Sequence, residues 1–327
     1  MRRVLITGTA GFLGSHLALH YLAKNWQVLG VDNFCSSLGT FTNWSPHFRK
    51  LQEHPNYFHL NEDIASEDFN EKLEEEFGRN CDLVLNFACP ASPPRYQAMP
   101  IETMMTCVVG TRNILGYAAR SGAVVVHAST SEVYGDPDVS PQTENYRGCV
   151  NSYGPRSCYD EGKRAAEALC FDYHNKYNVD ARLVRIFNTY GTHMDPNDGR
   201  VVSNFICQAL LGEPITIYGH GQQTRSFCYV DDLIRGIVAM ADLKFNPLQP
   251  INLGNPHEFK VIELAEIIAN RVGGAKIAYA AKAMPIDDPQ KRCPSIYTAQ
   301  SILGWKPTVS LEEGLDKTIE YFRCALK

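Results

Sequence analysis

Eight residues near the amino terminus, Thr7-Gly8-Thr9-Ala10-Gly11-Phe12-Leu13-Gly14, do most to restrict the fold. They follow the apolar run Val4 to Ile6, which reads as a strand, and they open a helix-like stretch at about residues 12–24. Glycines at 8, 11 and 14 permit a tight turn, close approach of backbone to a phosphate, and close packing of helix on strand. The helix amino terminus beyond them offers N–H groups and a positive dipole end to the same anion. Strand, glycine loop and helix together predict a parallel βαβ unit that holds a dinucleotide.

Further β-branched apolar runs occur at Gln27 to Val31, Tyr57 to Leu60, Leu83 to Phe87, Val124 to His127 and Arg182 to Phe187. Helix-like stretches at about 68–78, 101–120 and 158–177 fall between them. This alternation demands right-handed crossovers, hence an α/β fold with a doubly wound, Rossmann-like parallel sheet covered on both faces. After Asn188 the elements shorten and are divided by Gly and Pro, which predicts a smaller mixed α/β C-terminal lobe over 189–327 for the substrate. The division from the dinucleotide domain of residues 1–188 is not expected to be clean. The run Gln249 to Leu253 reads as another sheet strand, so a strand and helix from about 228–255 return to the first domain.

The 327 residues, 44% apolar and 20% charged, suit one large domain or two intimate ones. A net charge of -5 gives no basic footprint for nucleic acid or an anionic membrane. Eleven cysteines form no Cys-x-x-Cys pair, so reduced, mostly buried thiols are expected and a metal site is not. Met1-Arg2-Arg3 and the three apolar residues after it make neither a signal peptide nor a membrane anchor, which places the chain in the cytoplasm by default.

Asp32 ends the second strand, eighteen residues after Gly14, where a carboxylate can accept from adenosine ribose hydroxyls. It would repel a 2′-phosphate, and no Arg follows until Arg49, so NAD is favoured over NADP. Gly8, Gly11, Phe12, Leu13, Gly14, Asp32 and Asn33 are therefore the expected cofactor contacts. Asp63 and Ile64, after the third strand, are placed near adenine, and Ala88, after the fourth, beside the nicotinamide.

Tyr159 and Lys163 stand four residues apart in a helical pattern, which puts both side chains on one face. The ammonium can favour the phenolate and bring a pKa of about 10 toward that of a general base. Thr130-Ser131-Glu132 closes the fifth strand, and carboxyl ends of parallel strands are where ligands bind.

The glycine pattern, Thr130, and Tyr159 with Lys163 resemble the extended short-chain dehydrogenase/reductase superfamily of nucleotide-sugar epimerases, dehydratases and decarboxylases. More specific matches run along the chain: Pro90-Ala91-Ser92-Pro93-Pro94, Thr130-Ser131-Glu132-Val133-Tyr134-Gly135, Cys158-Tyr159-Asp160-Glu161-Gly162-Lys163, Gln223-Thr224-Arg225-Ser226-Phe227 and Asp288-Pro289-Gln290-Lys291-Arg292. Together they resemble the UDP-glucuronate decarboxylases, or UDP-xylose synthases. That resemblance implies C4 oxidation of UDP-glucuronate by bound NAD with Tyr159 as base and Lys163 assisting. Loss of the C5 carboxylate from the 4-keto sugar, protonation at C5 and return of the hydride to C4 then give UDP-xylose. It further implies Thr130 at the 4-oxygen, Ser131 and Glu132 where dehydratases carry Asp-Glu, and Arg292 near the sugar carboxylate. Pro90, Ser92, Asn188, Arg200, Val201, Arg225 and Tyr229 would hold the UDP-sugar. Tyr218 reads equally as a uracil platform or an edge aromatic. A homodimer through the helices at 101–120 and 158–177 is implied as well.

Some positions depart from that pattern. Cys107 stands where the family usually has Asn, Met104 and Met105 replace nearby Lys residues, and Cys35 to Trp44 differs from the usual basic loop. The alternatives are a nucleotide-sugar 4-epimerase or 4,6-dehydratase and, from another class, a non-catalytic NAD sensor.

Overall fold

The computed structural model describes residues 1–35, 46–280 and 287–326. Strands β1 (Arg3–Thr7), β2 (Gln27–Val31), β3 (Tyr57–Leu60), β4 (Leu83–Asn86), β5 (Val124–Thr130) and β6 (Ala181–Ile186) join the late strand Ile251–Leu253 in one seven-stranded sheet. From one edge the order is Ile251–Leu253, β6, β5, β4, β1, β2, β3, with every pairing parallel. The doubly wound α/β fold read from the alternation is the one present.

Side chains of a strand alternate between faces, and β1 separates them accordingly. Val4 and Ile6 enter one hydrophobic cluster and Leu5 another, all three fully buried. Each such burial contributes about 1.5–3 kcal/mol. Helix α1 (Phe12–Ala23) packs Leu17, Ala18, Tyr21 and Leu22 into the first cluster. The helix Phe69–Phe77 presents Phe69, Leu73 and Phe77, at helical spacing, to the second.

The strand order reverses at β1, which lies between β4 and β2, and a crevice opens there at the carboxyl ends. Two long helical segments flank it. The helix Ser157–Tyr177 ends at Asn178 in the left-handed region. The stretch expected as one helix at 101–120 is helical at Pro100–Met105 and Thr111–Ser121, with a π turn over Thr106–Gly110 between them. The extra residue of such a turn leaves no mark in an apolar pattern. Here it sets Cys107 against Gly162 of the neighbouring helix, where a glycine Cβ would come 3.0 Å from the Cys107 Cβ.

After residue 188 the chain makes small sheets. Thr224–Ser226 pairs antiparallel with Glu258–Lys260 and parallel with Lys291–Arg292, bringing Arg225 and Arg292 side by side. Among the described residues no helix is long and apolar enough to cross a membrane.

Candidate active site

The glycine loop is shaped by contacts that leave no room for side chains. Gly8 has φ +76°, and a Cβ on it would lie 3.0 Å from the Ala88 nitrogen. A Cβ on Gly14 would lie 2.0 Å from the Gly8 carbonyl oxygen, so only glycine lets α1 start this close to β1. Thr7 Oγ1 donates to Asn86 Oδ1 at 2.9 Å and accepts from the Phe87 and Ala88 nitrogens at 3.0 Å, tying the ends of β1 and β4 together. The Asp32 carboxylate accepts from Ala10 N and Phe34 N, both at 2.9 Å. Burial raises its pKa, and these two backbone donors oppose the rise.

A cavity of about 820 Å³ extends from this loop along the carboxyl ends of the strands to the small sheets. Gly8, Gly11, Phe12, Leu13, Gly14, Asp32, Asn33, Asp63 and Ile64 line it from the first three strand ends. Asp63 also closes a local turn by accepting from Ala65 N at 2.8 Å. Ala88, Pro90 and Ser92 line it after β4, and Thr130, Ser131, Glu132, Tyr159 and Lys163 from β5 and the Ser157–Tyr177 helix. Ser92 Oγ is buried there without a hydrogen-bond partner, as suits a wall that meets a polar ligand. Asn188, Arg200, Val201, Tyr218, Arg225 and Arg292 complete the lining. Tyr218 is exposed at this wall rather than packed in the core.

Tyr229 is not brought to the cavity. It precedes the helix Val230–Asp242, in a strand pair with Tyr190, and is buried against the Tyr190 ring at 5.7 Å. The chain passes from the strand Thr224–Ser226, which carries Arg225, into a different sheet at Cys228–Tyr229, and that change leaves Tyr229 in the core.

Tyr159 and Lys163 share one helix face as their spacing requires, and both are buried. The Tyr159 phenol lies near enough to the Thr130 hydroxyl for that group to favour its ionised form, while its ring stacks on Tyr96 at 5.1 Å and 6°. Lys163 Nζ donates to Ala128 O at 2.8 Å and lies 5.9 Å from the Tyr159 ring centroid. In the protein alone the phenol pKa is raised, not lowered as the Tyr-Lys spacing predicts. Burial is the largest cause, and it outweighs the opposing influence of the Thr130 hydroxyl and the Arg200 charge.

Glu132 sits between two guanidiniums. Arg292 Nη2 donates to its Oε2 at 3.2 Å, and Arg156 Nη2 donates to the same oxygen. Burial alone would raise the Glu132 pKa, but Arg292, Arg156 and Arg225 hold it down to about 2. Arg292, almost wholly buried, also donates to Gly135 O at 2.9 Å. Arg225 lines the cavity with its charge directed to Asp288, 2.8 Å away, and Asp288 also lies 3.5 Å from Arg156. Asp160, 3.8 Å from Arg156, is pushed up to about 7, first by burial and then by the Glu132 charge.

A sequence model of the NAD dependent epimerase/dehydratase family matches residues 4–254. The chain belongs to that family. It is 48% identical over 327 residues to UDP-glucuronic acid decarboxylase 1 of Xenopus tropicalis, covering 100% of this chain and 73% of that protein. It is 46% identical to UDP-glucuronic acid decarboxylase 6 of Arabidopsis thaliana, covering 99% and 90%. Among solved structures, UDP-glucuronic acid 4-epimerase from Bacillus cereus in complex with UDP-glucuronic acid and NAD superposes with a TM-score of 0.86 at 28% identity, over 98% of this chain and 99% of that one.

NAD is the cofactor of this epimerase/dehydratase family member, and the structure fits it. The three glycines leave a cradle that Cβ atoms would fill, at a helix amino terminus suited to a pyrophosphate. Asp32, fixed by two backbone donors, stands where ribose hydroxyls need an acceptor.

Sequence reasoning missed Arg156, Tyr96 and the role of Asp288. Arg156 lies three residues before Tyr159, and its ring contact with Tyr96 and its bond to Glu132 carry the Tyr159 stack over to the charge cluster. The Arg156–Asp160 spacing of four across the start of the helix Ser157–Tyr177 was the available signal. Of the departures from the family pattern, Met105 is exposed and Met104 packs toward Gly162. Residues 36–45 of the Cys35–Trp44 stretch lie outside the described residues.

Proposed function

We propose that this protein decarboxylates UDP-glucuronate to UDP-xylose with a bound, recycled NAD. The identity of 46–48% along the whole of this chain to UDP-glucuronic acid decarboxylases carries the reading, and the cluster of Glu132, Arg156 and Arg292 beside Tyr159 and Thr130 supports it. Bound NAD would supply reversible hydride acceptance from sugar C4, which leaves the net reaction without a redox change. Thr130 and Tyr159 hold the sugar 4-oxygen, and the phenolic oxygen of Tyr159 takes its proton while the Lys163 ammonium offsets the charge. With C4 oxidised, the uronic acid is a β-keto acid. The same two hydroxyls then stabilise enolate charge on the 4-oxygen as the C5 carboxylate leaves as carbon dioxide, and a proton from water takes its place at C5 before C4 is reduced again.

Glu132 stays ionised between its guanidiniums, so its part is charge rather than proton donation. A fixed anion near a carboxylate that must leave raises the ground state relative to the transition state. Arg292 and Arg156 keep that anion in place, and Arg292 is directed at Glu132 rather than free to retain the substrate carboxylate.

Residues 1–188 with the returning 228–255 segment are assigned to NAD, and 189–327 to the nucleotide sugar. Ile101, Met105 and Phe171, apolar and exposed on the two helical segments beside the sheet, support a homodimer there. Light scattering is then expected to give twice 36.6 kDa, and a monomer would reject it. The eleven free thiols support a reducing compartment such as the cytoplasm, which fractionation of the tagged chain checks.

The deciding experiment incubates the purified holoprotein with UDP-glucuronate and identifies the product. Carbon dioxide and UDP-xylose are expected. A C4 epimer that keeps its carboxylate would move the assignment to the epimerases, and NAD binding without turnover of any nucleotide sugar would favour a sensor.

A further inference from the structure

Two thiols with no part in the proposed reaction lie against its centre. Cys89 follows the end of β4 and lines the cavity, while Cys107 is buried in the π turn Thr106–Gly110. Their Sγ atoms are 3.5 Å apart and hydrogen-bonded. Cys107 packs on Gly162, between Tyr159 and Lys163 on their helix. The sulfur pair therefore bridges the strand end next to Ala88 and the helix that carries the proposed base.

We propose that Cys89 and Cys107 are a redox-modification site, closed to an intramolecular disulfide by a peroxide that enters the cavity, and that closure switches the site off. Either thiol can donate in this bond, and the Lys163 charge favours the anion on both, so one sulfur can ionise while its partner keeps the proton. The pair thus holds one sulfur ready as a nucleophile and the other protonated. The ionised sulfur attacks one peroxide oxygen, the O–O bond breaks, and the departing hydroxide takes a proton to become water. The second thiol attacks the resulting sulfenyl sulfur, the S–O bond breaks, and a second water leaves with the remaining proton. Two thiols and one hydrogen peroxide become one disulfide and two waters.

A disulfide holds its sulfurs about 2.05 Å apart, so the pair must close by about 1.5 Å. That movement draws the segment after Ala88 toward the Gly162 face, which Tyr159 and Lys163 flank on their helix. Active-site positions tolerate displacements of about 1 Å poorly.

The test treats the NAD-loaded protein with hydrogen peroxide, digests it without reduction and maps cross-linked peptides by mass. The expected result is one Cys89–Cys107 peptide pair lighter by two hydrogens, with most turnover lost and then regained on dithiothreitol. Cys89→Ser and Cys107→Asn, each compared with its own untreated sample, should keep their turnover under the same dose. Absence of the cross-link, linkage to Cys35 or Cys158 instead, or full turnover of the cross-linked chain would overturn the proposal. Equal peroxide loss in the parent and both variants would do the same. The peptide map on the parent decides even if a variant does not fold, and it does not depend on which sugar the protein turns over.

Discussion

Tyr159→Phe is expected to keep NAD and lose turnover by about 10²–10⁴-fold, the range attributable to a positioned general base. The substitution deletes one oxygen. The ring keeps its stack on Tyr96 at 5.1 Å, and Lys163 keeps its bond to Ala128 O. Removing the phenolic oxygen beside the Thr130 hydroxyl should cost only about 1 kcal/mol of stability. A loss of rate with an almost unchanged melting temperature and NAD content therefore isolates the proton transfer. Turnover within a few-fold of the parent would mean that a different group takes the 4-hydroxyl proton. Because burial already raises the phenol pKa, the parent has little phenolate of its own. The base must be activated by the charges gathered around it on binding.

Much of this site was legible along the chain because its signals are local. The glycine loop is eight contiguous residues, and Tyr159 and Lys163 are one helical turn apart, so spacing alone gives their geometry. The alternation of apolar runs likewise gave the sheet, down to the late strand Ile251–Leu253 at its edge. What was hidden is long-range. Arg292 reaches Glu132 across 160 positions, and Arg225 reaches Asp288 across 63, through a small sheet whose strands are two or three residues long. Such short strands carry no period from which to read which way a side chain points. The same gap explains Tyr229, four residues beyond Arg225 and turned into the core instead of the cavity. The π turn that presents Cys107 is invisible for another reason: one inserted residue in a helix changes facing without changing composition.

Glu132→Gln should be harmful twice, to the fold and to the chemistry, and the two effects are separable. The amide keeps the shape but removes the counter-charge of Arg292 and Arg156, both buried. Breaking a buried pair from one side typically costs about 3–5 kcal/mol, because the partner charge is left uncompensated. The pH dependence identifies the source. A carboxylate whose folded pKa is depressed contributes stability above its unfolded pKa of about 4.3 and loses it as pH falls toward the folded value. With Glu132 held down to about 2, the stability gap between parent and variant should be full at neutral pH and close between about 4 and 2. Asp160 responds in the opposite sense. Its pKa is raised to about 7 by burial and then by Glu132, so losing the Glu132 charge lets it ionise at lower pH and stand partly in for the missing anion beside Arg156. Carbon dioxide release from UDP-glucuronate should fall further than the stability loss explains, measured on folded, NAD-loaded variant well below its melting temperature. If the folded variant released carbon dioxide at the parental rate, Glu132 would be only a structural anchor for Arg292, and the fixed-anion account of decarboxylation would fail.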